Sequence, residues 1–207
     1  MRDGIKAISH NKQYIIFAGM LLLIGGVAGV FFAEQLYSYI ASQLDKIQQL
    51  GDKISASDNP LYGSWVIFLN NLIATFTFII LGSLLAIVPF MGLLVNGAMI
   101  GVVLNIVSET GISFLSALGM FVVGILPHGI FEIPAILIAG GFGMKLGIVW
   151  IRPLSGLGRW ESYKKVWAEV YKVLPVLMGL LLTAALVEGL VTPILIQFAM
   201  SFFGNGF

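Results

Sequence analysis

The chain has 207 residues, of which 58% are hydrophobic and only 10% are charged. Soluble domains carry about 25% charged residues, so this composition excludes a soluble globular domain and indicates an integral membrane protein. A net charge of +1 suggests no nucleic-acid partner, and the absence of cysteine excludes disulfides and cysteine-based metal sites. The two histidines, His10 and His128, lie far apart in the sequence, so neither a metal site nor a cofactor is predicted.

The N-terminal part predicts one span followed by a helix outside the membrane. Residues 1–13 are polar and basic and are predicted to form a cytoplasmic tail, and residues 14–33 are apolar and long enough to cross a membrane. Apolar residues then recur at helical spacing, which predicts an amphipathic helix over about residues 35–50. By the positive-inside rule this helix lies outside the cell, either on the membrane surface or capping the bundle.

Two further spans are predicted at about 64–88 and 92–108, joined by a tight return near Pro89. Within the second of these, Gly97 and Gly101 form a small-xxx-small pattern, which lets two helices approach closely. Such a pattern makes association into a homo-oligomer plausible.

Residues 112–143 form the longest apolar stretch, about 48 Å if it were a straight helix, against a hydrocarbon core of about 30 Å. It could hold two spans, one span with a re-entrant piece, or one broken span. Because the basic segment that follows should be cytoplasmic, the number of crossings here must be odd. We therefore predict one crossing with a broken or re-entrant element at residues 126–147. Its proline-rich first part, residues 126–135, is predicted to be the stretch around which the other helices pack.

The C-terminal part predicts a short basic aromatic helix over residues 159–172 on the cytoplasmic side, then a last span over 174–200 and an outer tail, 201–207. The predicted fold is thus an all-α polytopic transmembrane bundle of about five crossings in one domain, residues 14–200. Its N-terminus is cytoplasmic, its C-terminus is outside, and the protein is a multi-pass component of the cell membrane in contact with lipid.

Polar residues inside the predicted spans are the candidate site, because ionisable groups at membrane depth normally face protein or water rather than lipid. This predicted polar cluster consists of His128, Glu132, Glu188, Asn96, Asn70 and Asn71. The residues expected to break helices near it are Pro127, Gly129, Pro134 and Pro193.

Two hypotheses account for these residues. In the first, His128 and Glu132, which share a helix face if helical, exchange a proton or coordinate an ion in a transport pathway. In the second, the polar groups form interhelical hydrogen bonds that lock the bundle. The second is preferred, because the other acidic residues lie in loops. No Ser-His-Asp, HExxH or phosphate-loop pattern is present, so no enzymatic activity is predicted.

The segment Pro127-His128-Gly129-Ile130-Phe131-Glu132-Ile133-Pro134-Ala135 resembles the stage II sporulation protein M family. The paired Asn70-Asn71, the Asn96-Gly97 pair, and Glu188 followed by Thr192-Pro193 add to the resemblance, which covers about residues 64–200. The resemblance implies an integral membrane protein of about five spans. It also implies a scaffold without hydrolytic activity, which anchors membrane or extracytoplasmic partner proteins. The alternative function is a small channel, permease or proton-coupled transporter that uses the polar cluster.

Overall fold

A computed structural model of the chain describes residues 1–57, 59–109 and 114–203. Within these ranges the regular structure is helical and contains no strand. The helices are α1 (Arg2–His10), α2 (Lys12–Phe31), α3 (Ala33–Ser55), α4 (Pro60–Gly82), α5 (Ile87–Glu109), α6 (Phe114–Ile151), α7 (Arg159–Leu186) and α8 (Thr192–Phe203), and a π-helical turn, Val187–Val191, joins α7 to α8. The prediction of an all-α fold is confirmed.

Five helical segments of the described chain are long and apolar enough to cross a membrane. They are Lys12–Phe31, Leu61–Gly82, Ile87–Ile106, Val122–Ile151 and Arg159–Ala199. Their outward faces carry exposed apolar side chains such as Leu23, Ile73 and Ile194. Exposed apolar side chains are compatible with a lipid environment. Helices are also compatible with lipid, because their backbone polar groups bond within the helix. The protein is therefore a multi-pass membrane protein.

The break expected at residues 126–147 is not found. Phe114–Ile151 is one helix of 38 residues with Pro127 and Pro134 inside it, about 57 Å long. A proline removes only one backbone hydrogen bond and bends the chain, and the flanking bonds keep this segment helical. The helix is longer than a hydrocarbon core of about 30 Å, so part of it lies beyond the core. The length of this apolar stretch therefore does not require a break.

The separation of residues 159–172 from residues 174–200 is also not found. Arg159–Leu186 is one helix with Pro175 inside it. The irregularity of the last span is the π-helical turn just before Pro193, one of the residues expected to break a helix. At the other end of the chain, the predicted polar tail contains a helix, α1, whose Gly4 packs directly on the backbone of Lys172.

The connection between the second and third spans lies earlier than predicted. α4 ends at Gly82 and α5 begins at Ile87, so Pro89 is inside α5 rather than in the return. Leu85 and Ala86 have φ of 54° and 64°, a left-handed conformation that costs about 1–2 kcal/mol per residue without glycine.

Close backbone contact through glycine joins α2 to α5. A Cβ added at Gly25 or Gly29 would clash with the carbonyl groups of Leu94 or Ala98 on α5. From the other side, Gly97 and Gly101 lie against the backbone of α2. The small-xxx-small pattern thus serves an interface within the chain, where dispersion attraction between close backbones supplies the stability.

The core of the bundle is the C-terminal half of α6. Residues 138–147 are all buried, and four glycines here let neighbouring segments approach. Gly140 lies against Leu93, Gly141 against Ile15, Gly143 against the backbone of Phe78, and Gly147 against the backbone of Gly82 and Ala86. The helices therefore pack around a stretch that follows the proline-rich segment in sequence, rather than around that segment itself.

Candidate functional site

Three ionisable side chains meet where α6 passes the π-helical turn. His128 and Glu132 extend from α6, and Glu188 extends from the turn. One ligand atom from each side chain, an imidazole nitrogen or a carboxylate oxygen, lies within 4.8 Å of the other two. All three residues are partly buried. We call this group the His–Glu cluster.

The spacing of His128 and Glu132 explains how α6 contributes two of the groups. Residues four apart on a helix share a face, and the helix is continuous from one to the other in spite of the intervening Gly129. Ala135 and Ala139, further along the helix, are fully buried.

The π-helical turn carries Glu188, the third residue of the His–Glu cluster. Pro193 has no backbone N–H, so it cannot form the α-helical bond to the carbonyl of Gly189. The backbone N–H and the hydroxyl of Thr192 both bond to the carbonyl of Val187, the hydroxyl at 3.2 Å. Gly189 lies against Ser64 of α4, where a Cβ would clash. Contact with α4 thus holds the turn, and π-helical turns of this kind often occur at functional sites.

The groups of the His–Glu cluster are not satisfied by the described part of the protein. His128 Nδ1 is buried without a hydrogen-bond partner, and neither Glu132 nor Glu188 makes a hydrogen bond or ion pair with a described residue. The interhelical hydrogen bonds expected from the sequence are therefore not formed by these residues. The three ligand atoms lie close enough for side-chain rotation to bring them to one proton or one cation.

The predicted asparagines make hydrogen bonds elsewhere. Asn96 donates to the carbonyl of Gly92 on its own helix at 2.8 Å. Asn70 is exposed and donates to Asn71 at 3.5 Å, the limit of a hydrogen bond. The structure thus brings together only the histidine and the two glutamates of the predicted cluster, because the asparagine side chains bond locally.

A second polar cluster was not predicted. Lys145 Nζ lies 2.6 Å from Glu169 Oε2 and donates to Asn11 Oδ1, also at 2.6 Å. Asn11 Nδ2 donates in turn to Glu169 Oε2 at 3.0 Å and to the carbonyl of Ala7 at 2.8 Å. The side chains of Lys145 and Glu169 are 4% and 15% exposed. We call this group the Lys–Glu cluster.

A sequence signal for the Lys–Glu cluster does exist. Lys145 falls three residues after Phe142 and four before Val149, both buried, so helical periodicity places it on the buried face. By charge alone, Lys145 belongs with the basic residues that follow it, which are predicted to be cytoplasmic. No comparable pattern marks Asn11, which lies between α1 and α2.

The two clusters lie on the same pair of helical segments. His128 and Lys145 are separated by about 25 Å along α6. Glu188 and Glu169 are separated by about 28 Å along α7 and the turn. The Lys–Glu cluster borders a cleft of about 220 Å³ lined by residues 10–14, Lys145 and Leu154.

Comparison with known families gives one match. The family model described as stage II sporulation protein M matches residues 18–193, which is most of the chain. The chain belongs to the stage II sporulation protein M family. The match includes both α6 and the π-helical turn, so the whole His–Glu cluster falls within the family region. No curated protein and no solved structure matches the chain.

Proposed function

We propose that this member of the stage II sporulation protein M family is a non-enzymatic scaffold that holds partner proteins at the membrane through the polar face of α3. The family membership supports the membrane role, and the scaffold role follows from the resemblance in sequence. The observation that carries the proposal is the way α3 is attached to the bundle.

Most of the apolar face of α3 packs on the protein itself. Ile40 is buried, and Leu36 and Leu44 are half-buried, whereas Ile47 is 56% exposed. The helix packs on α4 and α5, so the part of this face up to Leu44 is covered. The bundle thereby fixes the direction in which α3 points.

The opposite face of α3 is exposed and polar. Its exposed polar residues are Glu34, Gln35, Ser38, Ser42, Gln43, Asp45, Lys46, Gln48, Gln49, Asp52 and Lys53. They occupy a helix about 35 Å long, with both signs of charge and many amide groups. Tyr39 is 81% exposed beside them. A rigid face of this kind is accessible to a polar protein surface, and Tyr39 supplies an aromatic side chain of the type enriched at interfaces.

The orientation of the protein follows from the distribution of its basic residues. α1 packs on α7 near Lys172, so the N-terminus and the basic part of α7 lie at one end of the bundle. α3 follows α2, whose 20 residues span about 30 Å, and so lies at the other end. With the basic end in the cytoplasm, α3 is exposed outside, where extracytoplasmic partners reach it.

Site-specific crosslinking in cells tests the scaffold proposal. A photoreactive residue at Gln43, on the polar face of α3, should give a discrete protein adduct that mass spectrometry identifies as a membrane-anchored or extracytoplasmic protein. The matched control is the same residue at Leu23 on α2, which is 70% exposed and apolar and should react with lipid.

The charge reversal Lys46→Glu with Lys53→Glu should reduce the Gln43 adduct without changing expression. The proposal fails if positions 43 and 23 give the same products. The orientation has a separate check, because the chain has no native cysteine. A cysteine at Gln43 should react with an impermeant reagent applied outside intact cells, and a cysteine at Lys165 should not.

The His–Glu cluster favours a second candidate function, a small channel or ion-coupled transporter. Three ionisable groups without protein partners among the described residues are typical of ion and proton pathways in membranes. Purified protein in liposomes would then show selective proton or cation flux that His128→Gln abolishes and His10→Gln preserves. Absence of flux from folded wild-type protein would exclude this candidate.

A further inference from the structure

We propose that His128, Glu132 and Glu188 bind one divalent first-row transition-metal ion, with Zn²⁺ as the probe. The inference is independent of the scaffold proposal, because it concerns α6 and the π-helical turn and not α3.

The charge of the cluster favours a divalent ion. Two carboxylates converge there, and no described residue forms an ion pair with either. The basic side chain of α6 at the other cluster, Lys145, is about 20 Å from Glu132 along the helix and is already bonded to Glu169. Net charge inside a membrane bundle is costly. A divalent cation makes the site neutral, whereas a monovalent cation leaves one negative charge.

The donor atoms favour a transition metal over Mg²⁺ or Ca²⁺. Imidazole nitrogen is a preferred ligand of zinc, iron and related ions, whereas Mg²⁺ and Ca²⁺ prefer sites made of oxygen alone. The buried Nδ1 of His128 has no hydrogen-bond partner among the described residues, so the ring retains a nitrogen that none of them engages. One nitrogen and two carboxylate oxygens, with a position left for water, match the ligand number of an open zinc site.

The distances permit coordination with small movements. Ligands of a tetrahedral zinc ion lie about 3.3 Å apart, given bonds of about 2.0–2.2 Å. The cluster already holds its ligand atoms within 4.8 Å of one another, so side-chain rotation closes the difference. The backbone is already in place, since His128 and Glu132 share a helix face and contact with Ser64 holds the turn that carries Glu188.

A bound ion would connect α6 to the junction of α7 and α8. Because the ion binds the folded state and not the separated helices, its binding would stabilise the bundle in proportion to the logarithm of its free concentration. The cluster would then be a metal crosslink inside the protein.

Metal content and binding of the full-length protein in detergent test the proposal. Protein stripped with chelator and then dialysed against Zn²⁺ should retain about one ion per chain by elemental analysis and should melt at a higher temperature than the stripped form. His128→Gln, Glu132→Gln and Glu188→Gln should each weaken Zn²⁺ binding about tenfold or more, since loss even of a supporting group costs 10- to 100-fold.

The chain offers matched controls. His10→Gln removes the other histidine, and Glu34→Gln removes an exposed carboxylate; both should retain the ion with unchanged affinity. Replacement of Zn²⁺ by Co²⁺ in the wild-type protein should give visible absorption that His128→Gln alters. This readout does not depend on how stable the glutamate variants are.

Two results would overturn the proposal. One is folded, helical wild-type protein that retains no Zn²⁺, which would assign the positive charge at the cluster to protons. The other is retention of Zn²⁺ that His10→Gln abolishes and His128→Gln leaves intact. Neither result bears on crosslinking at Gln43, so failure of the metal site and failure of the scaffold proposal are distinguishable.

Discussion

The Lys–Glu cluster and the His–Glu cluster occupy the same helical segments and differ in how their charges are compensated. In the first, one cation lies 2.6 Å from one carboxylate, and Asn11 bonds to both. In the second, two carboxylates and a histidine converge within 4.8 Å with no partner among the described residues. The Lys–Glu cluster lies near the end of the bundle where α1 packs on α7. The His–Glu cluster lies about 25 Å away along α6.

The difference shows that buried ionisable groups serve two purposes in one bundle. A carboxylate bonded to both lysine and asparagine fixes three parts of the chain in one arrangement, since removal of either charged member leaves the other charge buried and unpaired. Convergent carboxylates without a counter-charge do not fix an arrangement until a proton or a cation joins them. We therefore propose a structural role for the Lys–Glu cluster and a binding role for the His–Glu cluster.

The largest expected effect is at the Lys–Glu cluster. Glu169→Leu should lower the free energy of unfolding by about 3–5 kcal/mol, because Lys145 is left buried and charged. Unfolding in mixed detergent, followed by circular dichroism, measures this. The double variant Lys145→Met with Glu169→Leu should recover most of the loss, because it removes both charges. If the double variant is no more stable than Glu169→Leu, the ion pair is not the cause.

A smaller effect is expected for the asparagine that completes the same cluster. Asn11→Ala should cost about 2 kcal/mol in unfolding free energy, since the ammonium of Lys145 loses one of its two acceptors. Asn70→Ala is the control, because Asn70 is exposed and its one bond is 3.5 Å long. Its unfolding free energy should change by no more than about 0.5 kcal/mol. Equal effects from both variants would contradict the structural role of Asn11.

The next smaller effect is expected from a change in packing at the turn that carries Glu188. Gly189→Ala should cost about 1–2 kcal/mol and weaken Zn²⁺ binding, because the added methyl clashes with Ser64 and displaces the turn that carries Glu188. Gly179→Ala, on α7, is the matched control, since nothing lies within 4 Å of its added Cβ. It should be neutral or stabilising by up to about 1 kcal/mol and should leave Zn²⁺ binding intact.

The smallest effect is expected at the His–Glu cluster without metal. In metal-free protein Glu188→Gln should change the unfolding free energy by less than about 1 kcal/mol, since Glu188 makes no hydrogen bond with a described residue. Glu169→Gln should be clearly more destabilising under the same conditions. Comparable losses from the two variants would show that both glutamates are structural and would remove the contrast between the clusters.

The class of fold and the three residues of the His–Glu cluster can be read from the amino-acid sequence. Long apolar stretches in a chain with few charges are stable in lipid as helices, because a helix bonds its own backbone groups and unsatisfied ones are too costly there. The cost of placing ionisable side chains in a membrane makes His128, Glu132 and Glu188 exceptional within the apolar stretches.

Tertiary structure alone decided which polar groups meet. Asn96, Asn70 and Asn71 carried the same sequence signal as Glu188, yet each bonds within its own helix. Lys145 and Asn11 are distant in sequence and meet only because α6 packs against α2 and α7.

The sequence also did not predict whether each proline of the two long C-terminal helical segments lies in a continuous helix or beside an irregular turn. Proline predicts a lost hydrogen bond but not its consequence: Pro127 and Pro134 are contained in a continuous helix, whereas Pro193 accompanies a π-helical turn. At Pro193 the hydroxyl of Thr192 and the contact of Gly189 with α4 stabilise the turn. The composition and periodicity of a membrane chain thus determine that it spans and where its costly groups lie. Which of those groups are neutralised depends on packing between helices, which no local pattern records.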